Sequence, residues 1–403
     1  MTAENHSFQI NQGTGPLVDP LPFSDAEYER RMASVRARMR AENLDAFITF
    51  TPENIYYLTG HDTSGYYFLQ ATVVTHDMMP VNVIRRIESS NTELKSWARL
   101  ATPYEDTADP IAALCFVLNE LGVAGKRIGG EGEAWFVSPA RYNQLRHNIE
   151  RTGGELVDVV NVVENIRVIK SEEELVYIRQ GARIVEQAMD AAFKKTFTGS
   201  NENEVAAVVY EILCRHGSQW AGLPCYLACG PRSGLCHSTW SGKIHETGDV
   251  APYEINANIK RYACSLFRMA VVGQQPTGKL ELHLNTVSEA TENLITNLRG
   301  GMVADQAHKA VRDVFHKNGI PDKLGHRVAY GLGVSYPPDT GEGHFSQIRE
   351  GDQHILEPGM VFHLVPGIVE FGKWSIGNTE TVLITDGSCE VITDFPRDIY
   401  ISG

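Results

Sequence analysis

Between Gly248 and Gly273 the chain reads GDVAPYEINANIKRYACSLFRMAVVG, and no other stretch restricts the fold as tightly. Two runs, PYEIN and a longer alternating one into AVVG, flank a turn expected near Asn258, which predicts a β-hairpin. Glu254 falls inside the first apolar run. A carboxylate there is costly unless it is paired or used, so it is the first candidate for chemistry.

The segments around the hairpin alternate in type. After a loose arm ending in LVDPLPF, Ser24 caps a helix whose acids come early and bases late, as the helix dipole favours. Strands and covering helices then follow to about Val163, through DAFITF, YYFLQATVVT and ELVDVVNVV. At IRVIKSEEELVYIRQ a new domain begins: Ser171 and Glu174 form a capping box before a helix with apolar residues at helical spacing. Two domains are therefore expected, 1–163 and 164–403. Beyond the hairpin, helices are expected at Lys279–Arg299 and Ala304–Asn318.

A net charge of −14 argues against nucleic acid or an anionic membrane surface as a partner. No apolar run approaches the roughly 20 residues of a membrane span. The first twenty residues lack the basic and apolar regions of a signal peptide. Seven cysteines without repeated metal-type spacing (Cys225 and Cys229 are four apart, with no second pair) suggest reduced thiols and a cytoplasmic protein.

The hairpin, the LEPGM turn at Leu356–Met360 and the run TETVLITDGSCEVIT, in this order and spacing, resemble the pita-bread hydrolases, among them methionine aminopeptidase, aminopeptidase P and creatinase. The resemblance covers roughly residues 24–400. It implies a mixed α/β (α+β) protein, a creatinase-like N-terminal domain followed by a pita-bread catalytic domain. Metal-dependent members hold two metal ions with two Asp, one His and two Glu. Here the matching positions carry Glu254, Ser265, Tyr330, Val365 and Thr379, with Glu380 one residue along. Hard divalent ions want carboxylate and imidazole donors, so neither a metal nor another cofactor is expected.

The polar residues that remain fit a metal-free hydrolase. His237, in GLCHSTW, matches the acid–base histidine of creatinase, and imidazole moves a proton both ways near neutral pH. His363 lies two residues before Val365, so strand alternation puts both on one face. His326 and Tyr330 are four apart and share a face by the same rule. With Arg268 and Glu380 they are expected to bind substrate. The set LCHSTW, RYACSLFR, YPPDTGEGH and FHLVPG is similar to the ectoine hydrolase branch of creatinase-like enzymes, although creatinase has a glutamate where Phe267 precedes Arg268. That resemblance implies water-driven C–N cleavage in a small cyclic amidine or guanidine, with His237 as acid–base and Glu254 as charge partner or water holder. Such a cation is already electrophilic, whereas a peptide carbonyl needs a metal to polarise it. A metal-dependent Xaa-Pro peptidase and a non-catalytic binding protein are the rival readings.

The loop YYLTGHDTSGYYF, with His61, Asp62 and Tyr66, lies in the domain without the hairpin. Creatinase-like enzymes pack the small domain of one subunit over the other's catalytic domain. The resemblance thus implies a homodimer whose sites are completed across the interface, with aromatic residues closing over a cation and Arg85 and Arg86 available for a substrate carboxylate.

Overall fold

Strand and helix signals in the first part of the chain are clean enough to be realised almost as written. The computed structural model describes residues 8–402. These divide into two units between Arg167 and Val168. In the first, strands β1 (Asn11–Gln12), β2 (Ala46–Thr49), β3 (Ala71–Thr75), β4 (Val81–Arg85), β5 (Leu100–Tyr104), β6 (Arg127–Gly130) and β7 (Glu155–Asp158) form one mixed sheet, in the order β1-β5-β4-β3-β2-β6-β7. Helices α1 (Asp25–Ala41), α2 (Pro52–Thr59), α3 (Ser89–Lys95), α4 (Pro110–Glu120), α5 (Pro139–Arg151) and α6 (Glu164–Arg167) accompany it. The boundary falls after α6 rather than before it. Glu164 accepts a 2.6 Å hydrogen bond from Asn54 of α2, which ties α6 to the first unit.

The second unit opens with α7 (Glu172–Lys195), whose Ser171–Glu174 capping box forms as expected, and α8 (Glu202–Arg215). A short strand β8 (Tyr226–Leu227) leads into the hairpin, β9 (Val250–Ile259) and β10 (Tyr262–Val272). Then come α9 (Lys279–Asn297), α10 (Ala304–Lys317), β11 (Ala329–Gly331), β12 (Gln347–Ile348), β13 (Val361–Leu364), β14 (Gly367–Glu370), β15 (Trp374–Gly377), β16 (Glu380–Leu383), β17 (Glu390–Val391) and β18 (Tyr400–Ser402). Two sheets dominate, β18-β10-β9-β8 and β12-β11-β13-β16-β17, with β14 and β15 as a separate ribbon. Val271 of the hairpin, Val287 and Leu294 of α9, Val311 of α10 and Phe362 of β13 meet in one buried core.

The hairpin turn lies two residues beyond the expected Asn258. Asn258 is a buried strand residue paired with Ala263, and the turn is Lys260–Arg261, at φ 47° and 68°. A two-residue turn of this hand needs positive φ at both positions, usually supplied by Asn or Gly. Tertiary contacts hold the arginine there instead. The Arg261 guanidinium carbon sits 3.4 Å from the Trp220 ring centroid, and Nη1 donates to the Trp220 carbonyl.

All seven cysteines are free thiols. Among the described residues no helix is long and apolar enough to cross a membrane.

Candidate active site

Strand alternation decides which hairpin residues face the cavity. Glu254 stands opposite Tyr226 of β8 and Phe267 of β10, and all three line a cavity of about 810 Å³. One row along, Asn256 pairs with Ser265, and the Ser265 hydroxyl donates to the Asn256 side-chain oxygen at 2.5 Å. The walls are largely apolar, with Pro252, Phe267, Val365 and Ile376 among them. Every residue of the cavity wall belongs to the second unit.

A directional chain of hydrogen bonds runs into Glu254. The Phe267 backbone N–H donates to the Thr379 hydroxyl at 2.9 Å. That hydroxyl is 2.5 Å from His363 Nε2, and His363 Nδ1 is 2.9 Å from the Tyr330 hydroxyl. Tyr330 in turn donates to Glu254 Oε1 at 3.2 Å. One polarity satisfies every link: Thr379 donates to Nε2, and the protonated Nδ1 donates to the phenol oxygen. Burial keeps His363 neutral, pulling its pKa down to about 3, and holds the Tyr330 phenol well above its usual range. Burial also raises the Glu254 pKa, partly offset by the Tyr330 hydrogen bond and by the charges of His237 and Arg327.

His237 lies on the cavity wall in a loop, with its ring 4.9 Å from that of Tyr226. Its backbone is left-handed, φ 61°, an uncommon state for a residue with a side chain. Glu202, at the start of α8 and 1% exposed, clamps both ends of this loop. It accepts from Cys229 N–H and Arg232 Nη1 before His237, and from Ser241 N–H after it.

His326 and Tyr330 both reach the cavity, but strand alternation is not the reason: His326 lies before β11, and Arg327 next to it lines the cavity too. His363 is completely buried beneath Tyr330 and off the cavity wall, touching the cavity through the Tyr330 and Thr379 hydroxyls, with Nδ1 3.8 Å from Glu254 Oε1. Arg268 and Glu380 are not substrate-binding residues here. Because Phe267 and Thr379 face the cavity, the next residue of each strand points the other way. Arg268 is 1% exposed and donates to Glu380, to Pro396 O, to Phe395 O and to two further carbonyls, Phe267 and Thr379. Glu380 also accepts from Arg397 and Thr393.

In the first unit, His61 is 2% exposed, 2.9 Å from the Thr92 hydroxyl, and burial lowers its pKa to about 4. Such a group does not close over a ligand. Tyr66 is half-buried and meets Phe136 edge-on, while Tyr67 beside it is exposed. Arg85 and Arg86 are paired with Asp106 and Glu105.

The sequence marks Thr379 only as a lost metal ligand and gives no sign of Arg327. Thr379 carries the hydroxyl that orients His363, and Arg327 places its guanidinium carbon 4.5 Å from the Tyr330 ring centroid. Glu202 was likewise unmarked, since an acid in a first helical turn reads as ordinary dipole compensation.

A two-sheet unit with a carboxylate, an imidazole and a phenol set into an apolar cavity defines the class first: a pita-bread-type hydrolase scaffold. The family model for metallopeptidase family M24 matches residues 176–386, and that for the creatinase/prolidase N-terminal domain matches residues 31–169. The chain belongs to the M24 family and carries the creatinase-type N-terminal domain ahead of it. It is 27% identical to the ectoine hydrolase of Halomonas elongata over 402 residues, 94% of this chain and 98% of that protein. It is also 27% identical to the Xaa-Pro dipeptidase of Pyrococcus furiosus, over 61% of this chain and 68% of that one. The crystal structure of dipeptidase PepE from Mycobacterium ulcerans superposes with a TM-score of 0.80 at 21% identity, covering 94% of this chain and 99% of that one.

The residues at the family's five ligand positions do not fit a pair of metal ions. Ser265 is buried and bonded to Asn256, the Val365 side chain has no lone pair, the Thr379 hydroxyl is taken up by His363 and Phe267, and the Tyr330 hydroxyl by His363 and Glu254. Among the described residues no group of three or more His, Cys, Asp or Glu side chains is arranged to hold a metal ion.

Proposed function

We propose that this protein is a metal-independent hydrolase that opens a C–N bond of a small amidine or guanidine, a cyclic amidine carboxylate being the substrate that fits best. One observation carries the reading: a closed chain of neutral hydrogen-bonding groups, Thr379, His363 and Tyr330, ends on the Glu254 carboxylate where metallopeptidases of this family need ligands. The ectoine hydrolase relative, aligned over nearly the whole chain, supports the same reaction class.

Ionised Glu254 attracts the substrate cation, and Tyr330 fixes the orientation of its carboxylate. His237 takes a proton from water as the oxygen adds to the amidine carbon. It returns that proton to the departing nitrogen as the C–N bond breaks, leaving an amide and an amine. The apolar walls limit water and strengthen the attraction between Glu254 and the cation.

The test is mass spectrometry of ectoine, creatine and related amidines after incubation with chelator-treated protein. Turnover that EDTA does not reduce supports the reading. An Xaa-Pro peptidase is the second reading, favoured by the dipeptidase relative. It requires dipeptide cleavage that rises with added manganese. No turnover of any compound leaves a binding protein.

We further propose a homodimer in which the aromatic loop of the first domain, with Tyr66 and the exposed Tyr67, completes the partner's site. Mixing inactive His237→Ala with a loop variant, Tyr66→Ala/Tyr67→Ala, restores activity by subunit exchange in that case. A mixture that stays inactive, although mixed dimers form, refutes it.

A further inference from the structure

Among the described residues Arg327 is the only lysine or arginine on the cavity wall, and its bonding differs from that of the other arginines discussed above. Among the described residues it forms no ion pair and one hydrogen bond, from Nη1 to the Gly343 carbonyl. A guanidinium has five N–H donors in a rigid fork, so four are left open. The nearby carboxylate does not take them. Asp339 accepts from the Thr340 N–H at 2.7 Å and is engaged by His344 at 3.0 Å. The guanidinium lies on the face of the Tyr330 ring, 4.5 Å from its centroid, and the hydroxyl of that ring holds Glu254. One aromatic ring thus carries a fixed positive group on its face and a carboxylate at its tip, both at the cavity wall.

We propose that Arg327 anchors a carboxylate subsite, and that the substrate is a compact zwitterion laid along Tyr330 with its carboxylate at Arg327 and its amidinium at Glu254. This rests on the hydrolase reading and narrows it. A planar fork matches a carboxylate bidentately, and pairing within an apolar wall makes the match stronger than on an open surface. Arg327 is only partly buried, so water reaches its open donors and a ligand carboxylate would take the place of that water.

Calorimetry on the full-length protein tests this without depending on turnover. The probes are ectoine, the same methyl-substituted ring lacking its carboxylate, and the dipeptide Ala-Pro, which offers a carboxylate without an amidine. Wild-type protein is expected to bind ectoine more tightly than either of the others. Arg327→Gln should weaken ectoine binding by about tenfold to a hundredfold and leave the ring without a carboxylate unaffected. Arg327→Lys, which keeps the charge and loses the fork, should fall between the two. Thermal melts of both variants check the fold, and the lysine variant carries the test should the glutamine variant fail to fold. Equal wild-type affinity for the two rings, unchanged ectoine binding in Arg327→Gln, no ectoine binding at millimolar concentration, or preference for the dipeptide overturns the proposal. Ectoine binding that depends on Arg327 but gives no hydrolysis sustains the subsite and refutes the hydrolase reading instead.

Discussion

Two polar clusters of the second unit face opposite ways, one behind the hairpin and one toward the cavity, and they are used differently. Behind the hairpin, Arg268 spends all its donors on Glu380 and four carbonyls, and Glu380 is further held by Arg397 and Thr393. Facing the cavity, Glu254 has one protein donor, and Arg327 makes one hydrogen bond. A saturated cluster has no valence left for a ligand and serves the fold. An unsaturated one, set into an apolar wall, is where a ligand supplies what is missing.

Activity should separate the clusters most sharply. His237→Ala is expected to cost about 10²–10⁴-fold in kcat with the melting temperature unchanged, and Glu254→Gln at least about a hundredfold. Near-native activity in either would remove that residue from the mechanism. At the back, Arg268→Met should do the reverse. Removing one partner of a buried pair costs about 3–5 kcal/mol of stability, read from urea unfolding, while the folded fraction keeps its turnover. A stable but inactive Arg268→Met would mean that the back cluster reaches the chemistry.

Tyr330→Phe probes the link between cavity and core on a smaller scale. The lost hydrogen bond stabilised ionised Glu254, so its pKa, already raised by burial, should rise further. The acid limb of the kcat/KM profile then moves to higher pH, with a plateau loss of about tenfold. An acid limb that stays put, or moves down, contradicts the directional chain. The smallest effect belongs to the exposed pair Arg85–Asp106: Arg85→Ala should change neither melting temperature nor turnover.

The contrast also explains what the sequence made legible. The capping box at Ser171, the hairpin and the helices after it rest on local patterns, and they form close to where they are expected. Glu254, His237, Tyr330 and His326 could be found because an ionisable or aromatic residue interrupts an apolar run or falls on a family motif. Arg268 and Glu380 look equally good by that standard. Only the pairing of Glu254 with Phe267 reveals that they lie on the far side. His61 looked like a loop histidine because burial under Thr92 is a tertiary fact. Arg327 was invisible for the converse reason: GHRVAY has no telling period, and the arginine matters through the partners it lacks.

Elemental analysis of protein purified and dialysed with manganese, cobalt and zinc present tests the central claim most directly, that the cavity works through its own hydrogen-bonded side chains. The expected result is no stoichiometric metal, with amidine turnover the same before and after dialysis. One or two metal ions per chain retained at the cavity, and activity that follows their occupancy, would contradict it.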